Sequence, residues 1–232
     1  MSIFTSGSCR LLCALDINKK DAIHTVSNGF RGDINFLGKL HNVKQHIQFI
    51  KYIKNEIVLP LHIIPVFLSN YNNSRCAFGI EYTTRLDSLR KRFYDCDVYM
   101  FEICSIKIYE KDGYQVQYEL TNDYQCTVQS EEDIYNDLMI LCRLLPKGKK
   151  IIFQTHFRPN IIYNDPSRVI EKREIIYNIV KKFCDANENI YLYDPSVLLQ
   201  TNNSLFDGQD HFDHEPGYNA TFKYITENFL SS

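Results

Sequence analysis

The sequence lacks the features that mark a membrane protein or a disulfide-bonded secreted protein. No run of about twenty apolar residues is present to span a bilayer, and polar residues 5–8 interrupt the N-terminus too early for a signal peptide. None of the eight cysteines forms a Cys-x-x-Cys pair, and several lie in apolar runs that suit a small buried thiol. We therefore predict a cytoplasmic protein with reduced cysteines and no membrane partner.

The sequence also lacks an excess of charge of either sign. A formal net charge of −2 provides no broad basic surface for a phosphate backbone, so nucleic acid is not an expected partner. No internal repeat or low-complexity linker divides the chain. Its 232 residues, 44% of them hydrophobic, predict a single domain over 1–232, which is compatible with being one part of a longer multidomain polypeptide.

Short apolar runs alternate with helical patterns, which predicts an α/β fold. Five runs have the length of buried strands and lie at residues 2–5, 61–67, 98–103, 150–154 and 190–193. Apolar residues recur at three- and four-residue steps in the segments that predict helices, at 40–57, 134–145, about 167–184 and after Pro216. Helical crossovers between parallel strands predict a three-layer α/β/α sandwich around a mainly parallel five-stranded sheet.

Two local signals add detail to this fold. Ser130, followed by three acidic residues, is typical of a helix start, and Pro146 is expected to end that helix. Residues 106–120 alternate polar and apolar side chains about Asp112-Gly113, which predicts a β-hairpin inserted after the third strand and leaning over the site.

Reactive residues follow the first predicted strand, in the turn Ser6-Gly7-Ser8-Cys9-Arg10. Ligands of parallel sheets bind beyond the carboxyl ends of the strands. A tight strand-to-helix turn exposes a nucleophile, and the helix N-terminus is expected to lower the pKa of Cys9. The alternative is that Ser6 or Ser8 only caps the helix and Cys9 belongs to the core.

A second cluster precedes the last predicted helix and contains Asp207, Asp210, His211 and His214. A histidine oriented by a carboxylate is the usual base for a serine or cysteine nucleophile. The same residue types can bind a metal, but no His-x-x-x-His frame supports this and we expect no metal. A solvated polar loop is the remaining alternative.

Other strand ends supply candidate substrate-binding groups. An arginine at such a position can bind a carboxylate or phosphate through two hydrogen bonds. The structural alternatives are an ordinary glycine turn, a loop histidine, and an ion pair between Glu102 and Lys107. The candidates are Gly38, Lys39 and His41 at the start of the helical segment 40–57, Ser105 and Lys107 after the third strand, and His156 and Arg158 after the fourth.

This order of motifs resembles the SGNH/GDSL hydrolase superfamily, in particular its divergent Gly-Ser-Cys branches and the related capsule-polysaccharide acetyltransferase-like proteins. Gly7-Ser8-Cys9 matches the nucleophile turn, with Cys9 where the superfamily has serine. Gly38 corresponds to the glycine whose N–H stabilises the oxyanion, and His211, ahead of Gly217-Tyr218, corresponds to the base.

The chain departs from this pattern at two places. The Asp-x-x-His motif is absent, because Asp207 lies four residues before His211 and Asp210 four before His214, so either histidine could be the base. Residues 102–105 occupy the place of the Gly-x-Asn-Asp block.

The resemblance implies a flavodoxin-like fold and an acyl-transfer site. Cys9 or Ser8 would attack the acyl donor and pass its proton to His211 or His214, with Asp207 or Asp210 orienting the base. A sugar or nucleotide-sugar acceptor would make the protein an acetyltransferase, and water would make it an acetyl-ester hydrolase. A non-catalytic module that binds carbohydrate or nucleotide is the third alternative. Acetyl-coenzyme A is the expected donor, with phosphates near Arg10, Lys39, Lys107 or Arg158.

Overall fold

A parallel sheet forms the centre of the computed structural model, which describes residues 1–8, 10–11, 15, 24–27, 39–68, 80–118, 120–206, 208, 212 and 214–230. All neighbouring strands of this sheet run parallel, in the order β2-β1-β3-β7-β8. The strands are β1 (Ser2–Ser6), β2 (His24–Ser27), β3 (Val98–Glu102), β4 (Lys107–Lys111), β5 (Tyr114–Gln115), β6 (Gln125–Val128), β7 (Lys150–Gln154) and β8 (Ile190–Tyr193).

Helices connect and cover these strands. Two short 3₁₀ turns, Pro166–Arg168 and Asn203–Leu205, lie between helices, and the last helix continues into a π-helical turn at Thr226–Leu230. None of the described helices is long and apolar enough to cross a membrane. The helices are α1 (Val43–Ile53), α2 (Ile64–Leu68), α3 (Ile80–Phe93), α4 (Glu131–Leu144), α5 (Pro159–Ile162), α6 (Glu171–Asp185), α7 (Pro195–Thr201) and α8 (His214–Ile225).

The two faces of the sheet bury separate hydrophobic clusters because successive strand residues point in opposite directions. Phe4, Tyr99 and Phe153 pack on one face with α1, α4 and α6. Ile3, Met100 and Ile152 pack on the other face with the described apolar residues of the segment that follows β1 and with residues of α8. Helices therefore cover both faces, as expected for a sandwich.

The helix boundaries follow capping chemistry. Ser130 accepts the backbone N–H of Asp133 while the Asp133 carboxylate accepts the N–H of Ser130, which gives α4 the predicted start. Helix α6 begins at Glu171, later than predicted, because a separate 3₁₀ turn occupies residues 166–168. Helix α8 begins two residues before Pro216, since proline is tolerated in the first turn of a helix.

The strand predicted at 61–67 is wrong. The segment turns and enters α2, with Leu61 exposed by 74% while Ile63, Ile64 and Phe67 are buried. Buried residues one and three positions apart are typical of a helix face. An apolar run this short does not distinguish a buried strand from a buried helix by its sequence. The edge of the sheet next to β1 is instead β2, whose sequence His-Thr-Val-Ser contains a single aliphatic residue and gave no strand signal.

The predicted hairpin is confirmed. Strands β4 and β5 pair antiparallel about Asp112 and Gly113, whose φ values of 52° and 79° match the left-handed positions of a type I′ turn. Strand β6 pairs with the other edge of β4, so the hairpin is part of a three-stranded antiparallel sheet in the order β5-β4-β6.

Candidate active site

The strand order places a topological switch point between β1 and β3. The chain passes from β1 to β2 on one side, and later continues from β3 to β7 and β8 on the other. In flavodoxin-like sheets with this order, ligands bind outside the carboxyl ends of the two central strands. Those ends are Ser6 and Glu102, so the turn predicted to carry the nucleophile lies at this position.

Gly7 is required by the close approach of the two strand ends. A Cβ atom at residue 7 would lie 2.6 Å from Cβ of Glu102 and 3.0 Å from its Oε2 atom. No side chain can occupy that space without moving β3 or the turn. This packing explains the glycine in the Gly7-Ser8-Cys9 motif without assigning it a chemical step.

The Glu102 carboxylate fixes the turn after β1. Its Oε2 accepts the backbone N–H of Ser8 at 2.6 Å, and its Oε1 accepts Nε of Arg10 at 2.5 Å. Burial alone would raise the pKa of Glu102, but the charge of Arg10, then the nearby His41 and the Ser8 hydrogen bonds, lower it to about 2. Glu102 is therefore an anion at neutral pH and the partner of Arg10, not of Lys107 as the sequence allowed.

The Ser8 N–H is consequently engaged in the ground state. It is therefore occupied, and an oxyanion at this turn would have to bind other N–H groups. A carboxylate with a pKa of about 2 is also too weak a base to activate the buried Ser8 hydroxyl.

His46 connects the ends of β1 and β3 from helix α1. Its Nε2 lies 2.9 Å from the carbonyl oxygen of Glu102, and its Nδ1 lies 2.9 Å from the Ser6 hydroxyl. A carbonyl can only accept, so Nε2 carries the proton, and Nδ1 of the neutral ring accepts from Ser6. Burial lowers the pKa of His46 to about 4, which keeps the ring in this neutral form.

The segment before α1 crosses the same strand ends. The N–H of Leu40 donates to the carbonyl of Gly7 at 3.3 Å, and the carbonyl of His41 accepts from the N–H groups of Cys104 and Ser105 at 2.9 and 3.0 Å. Predicted residues Lys39, His41 and Ser105 are thus brought together beside the turn. They line a cleft of about 40 Å³ that also borders the antiparallel sheet.

Two further histidines face the ion pair of Arg10 and Glu102. Burial and then the charge of Arg10 lower the pKa of His41 to about 4 and that of His156 to about 2. Both imidazoles are neutral at pH 7, and both are weaker bases than a general base matched to that pH. They can donate or accept hydrogen bonds to a substrate.

Arg158 is held by carboxylates of the protein. Its guanidinium donates to Asp194 at 2.5 and 3.2 Å and to Glu174 at 3.0 Å, and it lies 3.5 Å from the ring centroid of Tyr177. These contacts give Arg158 a fold-stabilising role. Lys107 lies on β4, where its backbone contacts Ser105 and Asn42.

Buried polar groups without partners extend this site along the sheet. Gln154, the register neighbour of Glu102, is fully buried, and within the described part of the chain neither the oxygen nor the nitrogen of its side-chain amide has a hydrogen-bond partner. The hydroxyls of Thr155, which follows it, and of Thr5 in β1 are in the same state. Unpaired buried groups of this kind are rare and concentrate at functional sites.

Five predicted catalytic or oxyanion residues lie outside the described residues: Cys9, Gly38, Asp207, Asp210 and His211. For His214 only the backbone is described, and it begins α8. No group of three metal-ligating side chains occurs within the described part of the chain. The described cysteines, Cys96, Cys104, Cys126, Cys142 and Cys184, are free thiols.

The residues that flank the histidine loop are described and lie at this edge of the sheet. Phe206 and Phe212 form an antiparallel bridge, and the Phe212 ring packs 4.8 Å from that of Phe157, which follows His156. Gly217 allows this contact, because a Cβ there would lie 2.7 Å from Cβ of Phe212. Phe206 and Phe212 therefore both lie close to the residues that follow β7.

Glu102 and His46 are the site residues that sequence reasoning missed. Glu102 ends an otherwise apolar strand, Val-Tyr-Met-Phe-Glu, where a buried charge requires a buried partner. His46 lies on the buried side of α1 with Val43 and Ile50. In both cases a charged or titratable residue lies among apolar residues of the same element, and this pattern could have identified it as a site residue.

These features define the chain as an α/β protein with a flavodoxin-like strand order and a buried polar site at the switch point. More specifically, the chain belongs to the TviD N-terminal domain family, whose model matches residues 1–125. No curated protein and no solved structure matches it. The SGNH resemblance stays a prediction from the motifs.

The matched part includes the turn after β1, α1, Glu102 and the hairpin. It ends at the first residue of β6, so β7, β8 and the histidine loop lie beyond it. The parallel sheet nevertheless continues across this boundary, because β3 pairs with β7 over five residues.

Proposed function

We propose that the chain transfers an acyl group, specifically acetyl, to a hydroxyl or amine of a sugar or nucleotide sugar. Membership of the TviD N-terminal domain family points to polysaccharide biosynthesis, which supports a carbohydrate acceptor. The observation that carries the proposal is geometric. The residues on either side of Cys9 and those on either side of the histidine loop meet at one edge of the sheet, around Arg10 and His156.

Cys9 is the proposed nucleophile. Ser8 is the weaker candidate because its N–H is bound by Glu102 and its hydroxyl is buried beside a carboxylate that is a poor base. His211, or His214, is the proposed base, since the low pKa values of His41 and His156 make those rings unsuitable. Asp207 or Asp210 would orient the base.

In this scheme the reaction has two steps. The Cys9 thiol loses its proton to the histidine, its sulfur forms a thioester with the acetyl group, and the leaving coenzyme A thiolate takes that proton. The acceptor oxygen or nitrogen then attacks the thioester while the histidine removes its proton, and the proton returns to Cys9 as the thiol leaves. If an acetyl ester is the donor, its alcohol leaves in the first step in place of the coenzyme A thiolate, and attack of water on the thioester completes the hydrolysis of that ester.

The donor is proposed to be acetyl-coenzyme A, and its phosphates require exposed cationic groups. Arg10 and Arg158 are buried and bound to Glu102, Asp194 and Glu174, so we leave them out of this role. Of the four basic residues predicted from the sequence, Lys39 and Lys107 remain as candidates to bind the phosphates.

The experiment measures coenzyme A release and acetylated sugar for the parent protein and for Cys9→Ala, Ser8→Ala and His211→Ala. We expect Cys9→Ala and His211→Ala to lose about 10³-fold or more of the turnover. The matched control is Cys126→Ala, which removes an exposed free thiol on β6 and should keep full turnover.

Two results would contradict the scheme. Full turnover in Cys9→Ala would move the nucleophile elsewhere. A parent protein that binds sugar or nucleotide but transfers no acetyl group, either to sugar or to water, would identify a binding module.

A further inference from the structure

The antiparallel sheet is fixed to α1 by side-chain amides. Asn42 and Gln45 each donate to a carbonyl of the sheet region, those of Lys107 and Val116, both at 3.0 Å. The Gln48 side-chain amide bonds to both backbone groups of Gln115. It donates to the carbonyl at 3.0 Å and accepts the N–H at 2.8 Å. The N-cap and the first two turns of one helix therefore position the hairpin.

A second attachment comes from α2. The backbone N–H of Gln117 donates to the carbonyl of Val66 at 2.9 Å, and its side-chain Nε2 donates to the carbonyl of Phe67 at 2.5 Å. Because Gln117 is buried, these bonds are shielded from water. The residue that follows, Tyr118, is thus held at a defined place above the start of α1.

Tyr118 presents an aromatic surface next to the candidate active site. Its side chain is exposed by 46%, and its ring lies 5.1 Å from that of Tyr109, which in turn packs edge-on against Tyr124. Both Tyr109 and Tyr118 line the 40 Å³ cleft with Lys39, His41 and Ser105. The cleft is thus lined by two aromatic rings together with hydrogen-bond donors and acceptors.

This combination suits a sugar. A pyranose ring has an apolar C–H face that packs on the negative face of an aromatic ring, and hydroxyls around its rim that require hydrogen-bonding groups. The cleft exceeds the roughly 15 Å³ needed by one water molecule, so it can admit a polar substituent of a sugar whose ring rests outside on Tyr118.

The cleft also adjoins the proposed reaction centre. The backbone carbonyl of His41, which lines the cleft, accepts from the N–H of Cys104. The Cys104 sulfur accepts from the Arg10 guanidinium at 3.4 Å. Arg10 lies one residue after Cys9. The cleft residue His41 and the turn residue Arg10 therefore both contact Cys104.

We infer that this cleft is the acceptor subsite, in which the sugar stacks on Tyr118 and forms hydrogen bonds with His41 and Ser105. The inference rests on the proposed function, and it gives the antiparallel sheet the role of a specificity-determining wall. Tyr118 binds the acceptor and takes no part in the covalent steps.

The test uses Tyr118→Ala and Tyr118→Phe in the full chain, with acetyl-coenzyme A and a panel of glucosamine, N-acetylglucosamine and their UDP conjugates. With the panel sugar that gives the highest turnover, we expect Tyr118→Ala to raise the acceptor KM about tenfold and to leave the donor KM unchanged. Tyr118→Phe retains the ring and should keep the acceptor KM near that of the parent. Tyr94→Ala, which removes another tyrosine that is 53% exposed, is the control.

The outcomes separate this inference from the proposed function. Acetyl transfer with the same acceptor KM in Tyr118→Ala overturns the subsite and leaves the proposed function standing. A parent without acetyl transfer overturns the proposed function, and saturation-transfer NMR of the same sugars then decides the subsite. A signal lost in Tyr118→Ala supports the subsite, whereas an unchanged signal, or none in the parent, overturns it.

Discussion

A buried carboxylate at Glu102 organises the end of β1. Ser8 and Arg10 each donate to one of its oxygens, and its own carbonyl accepts from His46. Glu102 therefore connects the charge of Arg10, the turn after β1 and helix α1. Breaking a buried ion pair leaves an uncompensated charge, which costs more than the pair itself contributes.

We expect Glu102→Gln to lower the free energy of unfolding by about 3 kcal/mol, because Arg10 would remain buried without an anion. Urea denaturation at pH 7 measures this loss. The same loss is expected at pH 5, since the pKa of Glu102 is about 2 and the carboxylate is still charged there. Glu56→Gln removes a half-exposed partner of Lys54 and should cost less than about 1 kcal/mol. Equal losses in the two variants would refute the buried-pair argument.

Residue types and spacing predicted where the polar groups gather but not how they pair. The turn at residues 6–10, the segment before α1 and the residues after β7 were all expected at one edge, and the described residues of each lie there. Arg10 was expected to contact substrate, which stays a prediction, and its pairing with Glu102 was not foreseen. Arg10 and Glu102 are about ninety positions apart in the sequence. A local sequence pattern carries no information about a contact over that distance.

At the scale of elements, long and strongly patterned segments were predictable and short ones were not. Helices α1 and α4 carry clear apolar periodicity and capping boxes, and the hairpin carries Asp112-Gly113. Strand β2 and helix α2 have four and five residues, too few for either period to be read, and tertiary packing decides their structure.

The contact between α1 and the hairpin gives a prediction at this scale. Gln48→Ala would leave the N–H and carbonyl of Gln115 without their partners, so we expect a loss of about 2 kcal/mol in the free energy of unfolding. Hydrogen exchange of the β5 amides should accelerate. Gln125→Ala, on the exposed strand β6, is the matched control and should change neither quantity. Unchanged exchange in Gln48→Ala would show that other contacts hold the hairpin.

At the scale of the whole molecule, buried neutral histidines make the fold sensitive to acid. Burial lowers the pKa of His46 from 6.5 to about 4, and it lowers the pKa of His41 and His156 as well. Between pH 6.5 and 4 the unfolded chain binds protons that the folded chain does not, so stability falls as the pH falls.

For His46 alone the loss by pH 4 is expected to be about 3 kcal/mol. Urea denaturation at pH 7, 5.5 and 4 should show this decline, and it should be shallower in His46→Gln, which has no imidazole to protonate. Parallel curves for the two proteins would mean that His46 is not held neutral.

The family match ends within the fold, which allows a second prediction at this scale. A fragment of residues 1–125 would lose β7, and with it the five-residue pairing of β3 and the packing of Phe101 on Phe153. We expect the fragment to show no cooperative thermal transition by circular dichroism, in contrast to the full chain. A sharp transition would make the matched part an independent folding unit.

The pairing of β1 with β3 also determines when the site can form during synthesis. Residues Ser2 and Asp97, which bond to each other at the start of the two strands, are separated by 95 positions. The ribosome therefore releases the turn after β1 long before the carboxylate that shapes it. A nascent chain that ends before β3 carries this turn without Glu102, so the turn can reach its final packing only after the neighbouring strand has emerged.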